Sequence, residues 1–129
     1  MFNVITGDNA PDSPESIPTS QAIRAGDFVF LSAQCSSDDS GQIITGSFDA
    51  EMRRAFANVE MILSSAGLDL SDVVQVRCYL ARRDDLAEFN CIYQEIFQKP
   101  FPVRTTLAGC LPCEGHIAVD VVAYAGRSS

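Results

Sequence analysis

The segment VRTTLAGCLPCEGHIAVDVVAYA, residues 103–125, decides the architecture, because it reads as two β-strands, 103–109 and 116–125, joined by the loop CLPCEG. Val103, Thr105, Thr106 and Leu107 suit a pleated, half-buried surface, and the run Ile117 to Ala125 reads as a strand buried on both faces. Each strand carries one charge against this pattern, Arg104 in the first and Asp120 in the second. A guanidinium cannot shed its charge, and a carboxylate in an apolar strand needs a partner. If the strands are antiparallel neighbours, the two charges can face each other. They then form either a structural ion pair, which often only breaks even energetically, or a small polar pocket. In such a pocket a guanidinium fork holds a planar carboxylate while an acid handles water or a proton. From these residues alone both readings stand.

Upstream, Pro100 and Pro102 hold the chain extended. Before them the spacing predicts a helix from Asp84 to Phe97, with Leu86, Phe89, Tyr93, Ile96 and Phe97 inward. Residues 70–81 alternate, Val74, Val76, Cys78 and Leu80 against Val73, Gln75, Arg77 and Tyr79, which predicts a strand. From about Ser47 to Ala66 the apolar residues Met52, Ala55, Phe56, Val59, Ile62, Leu63 and Ala66 form one helical stripe, capped by Ser47 or Asp49 and ended by Gly67. Residues 22–33 read as a hairpin turning at Ala25-Gly26-Asp27, and SSDDSGQ, 36–42, is turn chemistry before Ile43-Ile44 briefly resume the sheet. The order β, β, α, β, α, β, β predicts an α+β two-layer sandwich, one mixed sheet with both helices on one face. The other face keeps apolar residues, so it is expected to meet other subunits.

The 129 residues, 1–129, fit a single domain. A net charge of -8 without a basic patch argues against a nucleic-acid partner. Residues 1–20 lack the pattern of a secretory signal, and no apolar run reaches membrane-span length. Five cysteines, an odd number scattered through apolar runs, suit a reducing, cytoplasmic setting. NAPDSPES, 9–16, has the composition of a disordered segment. Cys110 and Cys113 have dithiol spacing but sit between strands, without the helix N-terminus that activates such thiols. Asp38 and Asp39 read as a solvated turn rather than a metal site. His116, the single histidine, stands at a strand entrance without a nucleophile signature and reads as solvent-facing or locally bonded. The glycines fall singly, without a phosphate-cradling loop, so no nucleotide cofactor is expected.

The motifs as a set resemble the RidA/YjgF family, the 2-iminopropanoate deaminases once described as L-PSP endoribonucleases. Asn9-Ala10-Pro11 resembles the family's N-A-P, Ser32-Ala33-Gln34 its S-G-Q, and Ala66-Gly67-Leu68 its A-G-L. Asn90, Tyr93 and Phe97 match N-x-x-Y-x-x-x-F, Phe101 to Thr105 match F-P-A-R-S/T, Leu111-Pro112 match L-P, and Ile117 to Asp120 match I-E-I-E. The resemblance implies a chorismate-mutase-like (YjgF-like) fold, a homotrimer with clefts between subunits, and hydrolysis of small 2-imino or enamino acids, such as 2-aminoacrylate, to 2-keto acids and ammonia. It places Arg104 as carboxylate anchor and Asp120 as water-directing acid/base, with Ser32, Ala33, Asn90, Thr106 and Thr19 as substrate-binding positions. No metal or organic cofactor is implied, and the partners are a 2-imino or 2-keto acid and the chain itself, not nucleic acid or membrane. Asp120 is one methylene shorter than the frequent Glu, Thr19 stands where tyrosine is common, Thr106 where cysteine is frequent, and Ala33 replaces glycine. These departures leave open a non-catalytic trimer that binds small carboxylates.

Overall fold

The computed structural model describes residues 2–6, 17–111 and 114–126. Seven strands form one mixed sheet: β1 (Asn3–Val4), β2 (Ala22–Ala25), β3 (Phe28–Leu31), β4 (Gln34–Cys35), β5 (Val73–Leu80), β6 (Val103–Ala108) and β7 (Ile117–Tyr124). Their order is β1-β2-β3-β7-β5-β6, with β4 also on β7. Two helices, α1 (Phe48–Ser65) and α2 (Leu86–Ile96), lie on one face. The expected α+β layering is present, and the short strands β1 and β4 are additions to it.

Local chemistry sets the helix ends. The Ser47 hydroxyl accepts from the Ala50 amide at 3.1 Å and starts α1. Gly67, at φ +74°, ends it: the Gly67 amide donates to Ser64 at 3.0 Å and the Leu68 amide to Leu63 at 2.9 Å. This pair of bonds is the Schellman closure, which needs a left-handed residue at that point. Residues 83–85 form a 3₁₀ turn leading into α2, so Asp84 and Asp85, expected to open the second helix, precede it.

Strands 103–109 and 116–125 prove not to be neighbours, because β5 lies between them. The α2 crossover returns β6 parallel to β5, with Val76 opposite Arg104 and Cys78 opposite Thr106, and β7 pairs antiparallel on the other edge of β5. The alternation read for β5 also shifts at its start. Between Val73 and Gln75 the register slips by one, so Val73 is buried opposite Ala123 while Val74 is 40% exposed. A bulge of this kind reverses the side-chain faces on either side of it.

The core lies between the helices and the inner strand positions Val76, Cys78, Leu80, Ile117, Val119 and Val121. Phe56, 1% exposed, stands edge-on to Phe97 at 5.6 Å and to Tyr93 at 6.4 Å between ring centres. Phe56→Ala is expected to cost about 3–5 kcal/mol by leaving a cavity at this junction, measured as a lower urea midpoint. On the opposite face Phe28, Phe30, Val103 and Leu107 are exposed.

Candidate functional site

Arg104 is held at the edge of the sheet on the helix side. Its register with Val76 turns it toward α2, where its guanidinium carbon lies 4.8 Å from the centre of the Tyr93 ring and 5.0 Å from that of Phe89. The two ring faces attract the cation and restrain where its fork can sit. Arg104 is exposed and has no carboxylate partner among the described residues. Two hydroxyls beside it, Thr106 Oγ1 on the same strand face and Tyr93 Oη, are buried without a hydrogen-bond partner among the described residues. Burial pushes the Tyr93 hydroxyl up to about 12, opposed by the Arg104 charge, so it is a neutral donor. Asn90 follows Phe89 on α2 and is half-buried.

Asp120 does not share this pocket. It pairs across the sheet with Arg77, which places its side chain on the open face, the opposite side from Arg104. Its carboxylate is 7% exposed as a residue and is engaged at both oxygens. Arg77 Nε donates to Oδ1 at 2.8 Å, and the Tyr79 hydroxyl donates to Oδ2 at 2.8 Å. The charge that needed a partner therefore found one on β5, and the expected meeting of Arg104 with Asp120 does not occur within one chain. Hydrogen bonding to Asp120 raises Arg77 above its ordinary range, and burial together with the same carboxylate raises Tyr79.

A second group forms where β3 gives way to β4. Phe30 pairs with Val122 and Gln34 with Val119, so Leu31, Ser32 and Ala33 oppose only Val121 and Asp120, one residue in excess. The bulge places Ser32 and Ala33 beside the backbone of Asp120. Ser32 Oγ donates to the Ser20 carbonyl at 2.6 Å, its amide donates to Gln21 at 2.9 Å, and buried Gln34 Nε2 donates to Gln21 Oε1 at 2.9 Å. Thr19, adjoining this strap, is exposed. The predicted residues thus fall into two clusters, Arg104, Thr106 and Asn90 at one sheet edge, and Thr19, Ser32 and Ala33 by Asp120. Strands β7 and β5 separate them, roughly 14 Å across three strand spacings.

Two residues escaped the sequence reading. Glu51, on the inner side of α1 and 1% exposed, accepts from the His116 amide at 2.8 Å, the Gly46 amide at 3.1 Å and His116 Nδ1 at 2.5 Å. His116 is thus the partner of a buried acid 65 residues away in the chain. The signal was Glu51's place four residues before Ala55 on the apolar stripe. Arg77 also went unremarked, since its pairing depends on register. Of the CLPC motif, Cys110 is exposed and free, and Cys113 lies outside the described residues, as does the Asn9-Ala10-Pro11 motif. Burial pushes the Cys78 thiol up to about 12, which makes it a core side chain rather than a nucleophile. Among the described residues no group of three His, Cys, Asp or Glu side chains forms a metal-binding cluster, and no helix is long and apolar enough to cross a membrane.

Comparison with known proteins extends these observations. A RutC family protein of Pyrococcus horikoshii is 36% identical over 96% of this chain and 98% of its own length. The 2-iminobutanoate/2-iminopropanoate deaminase of Dermatophagoides farinae is 31% identical over 88% of this chain and 91% of its own. The crystal structure of Escherichia coli TdcF with bound serine superposes with a TM-score of 0.83 at 25% identity, covering 98% of this chain and 99% of that one. The family model Endoribonuclease L-PSP matches residues 10–125. Fold, motifs and matched length agree, and the chain belongs to the endoribonuclease L-PSP family, the Rid proteins that its sequence resembles.

Proposed function

We propose that the chain is a deaminase hydrolysing small 2-imino acids, with Arg104 holding the substrate carboxylate. The observation that carries this reading is a guanidinium lying over two aromatic rings with no acid to pair with among the described residues, in a chain where acids outnumber bases 17 to 9. A fork so placed suits a planar anionic guest. Thr106 Oγ1 and Tyr93 Oη supply further polar contacts, and Asn90 borders the same edge. TdcF with serine and the named deaminases support both the carboxylate and the reaction. In that reaction water adds to the imine carbon, nitrogen is protonated, and the C–N bond breaks to leave a keto acid and ammonia. A protonated imine is already electrophilic, so orientation and proton handling suffice.

The proposal extends to a homotrimer, in which the open face carrying Phe28, Phe30, Val122 and Tyr124 is covered by neighbouring copies. Arg77 and Asp120 neutralise each other there, so the face lacks the net negative charge of the rest of the chain and can pack without repulsion. Asp120 reaches the reaction in this reading as part of a neighbouring copy, bringing Ser32, Ala33 and Thr19 with it. Sedimentation at three times the chain mass, reduced to one by Phe30→Asp, is the expected result; a monomeric wild type would overturn the assembly.

A second reading is favoured by the two committed oxygens of Asp120: a carboxylate binder without turnover. Keto-acid release from enzymatically generated 2-aminoacrylate separates the two. Wild type above the buffer rate supports the deaminase. Saturable keto-acid binding that depends on Arg104, with no release from any imine, supports the binder.

A further inference from the structure

The geometry points to a second ligand site, for a monocarboxylate with an apolar tail, in the cavity between the start of β5, the end of α2 and the segment leading into β6. The cavity measures about 560 Å³, within the range of small-molecule sites. Leu70, Val74, Phe97, Phe101 and Val103 wall it with hydrocarbon, and Lys99 stands among its lining residues. Neither Arg104 nor Asp120 lines it.

Two observations select the ligand. First, the apolar wall is unusually wet: Val103 is 67% exposed, Phe101 42% and Val74 40%, three large apolar side chains converging on one concavity. Filling it with hydrocarbon removes that surface from water, which favours an aliphatic tail. Second, the charge is positive where the chain is otherwise acidic. Lys99 is the only lysine in the sequence, it has no ion-pair partner among the described residues, and no Asp or Glu lines the cavity. Against a net charge of -8 this is a local attraction for an anion. An ammonium on a flexible stem suits a single carboxylate at the rim rather than a bidentate grip. The occupant is therefore a linear or branched fatty acid of medium length, head at Lys99 and tail along Phe101 and Val103. This site does not rest on the deaminase chemistry, and it requires that copies packed on the open face, where Val103 also lies, leave the mouth beside Lys99 clear.

Octanoate and octylamine are the probes, titrated calorimetrically into the full chain and followed by amide chemical shifts. Saturable octanoate binding with shifts at Leu70, Val74 and Val103, and little binding of octylamine, is expected. Lys99→Met, at an exposed side chain, weakens octanoate about fivefold, and Val103→Glu abolishes it with the far-UV spectrum unchanged. Arg104→Ala leaves octanoate affinity within twofold. The proposal is overturned if octanoate does not saturate, as when a second copy fills the cavity. It is also overturned if octylamine binds equally, or if Arg104→Ala removes octanoate binding while Lys99→Met does not.

Discussion

Arg104→Ala is expected to lower kcat/KM for 2-iminopropanoate by about a thousandfold while leaving the fold intact. The loss corresponds to two charge-assisted hydrogen bonds to the substrate carboxylate, each contributing roughly 1.5–3 kcal/mol. Little stability is at stake, because the side chain is exposed and its contacts with Phe89 and Tyr93 contribute only about 0.5–1 kcal/mol each. Arg104→Lys keeps the charge but loses the planar fork and the stacking, so about a hundredfold loss is expected. Keto-acid release, read beside thermal melting, checks both variants. Equal rates for wild type and Arg104→Ala, both above buffer, would remove the anchor from the mechanism.

The largest effect of a polar substitution on stability is expected at Glu51. Glu51→Ala strips the acceptor from two backbone amides and from the His116 ring in a buried place, at a cost of about 3 kcal/mol or more. Burial by itself raises the Glu51 carboxyl, but the bonds from the His116 side chain, the His116 amide and the Gly46 amide outweigh it and hold the group below its ordinary value of 4.5. A carboxyl depressed in the folded state stabilises it above the unfolded value and loses that contribution as the pH falls through the folded value. Wild-type stability is therefore expected to drop from about pH 4.5 downward. Glu51→Gln should be less stable at neutral pH and show a flatter acid limb in urea titrations. A slope identical to wild type would show that Glu51 does not govern acid unfolding. The packing leaves no slack at this point: Gly115 has φ +102°, and a Cβ built on it would stand 2.6 Å from Glu51 Oε1.

The Asp120 pair illustrates why the site was only half legible. An unsheddable charge at Arg104 and a carboxylate at Asp120 were visible as departures from strand composition, and each indeed has a special environment. What the residues did not carry was the identity of the neighbouring strand. Had β6 and β7 been adjacent, the two could have met. With β5 inserted, Arg77 and Tyr79 became the acid's partners and Arg104 was left to the rings of α2.

The amino-acid pattern by itself determined the two helices, the main strands and their layering. Those depend on periodicities of 3.6 and 2 and on capping within a few residues, as at Ser47 and Gly67, where cause and effect are local. Only the tertiary structure decided strand order, the bulges at Val74 and at Ser32-Ala33, and the burial of Glu51 against His116. Pairing between strands is written in backbone hydrogen bonds that every sequence offers alike, so the choice among partners rests on how helices and sheet close over one another. That closure set which face each charge would occupy.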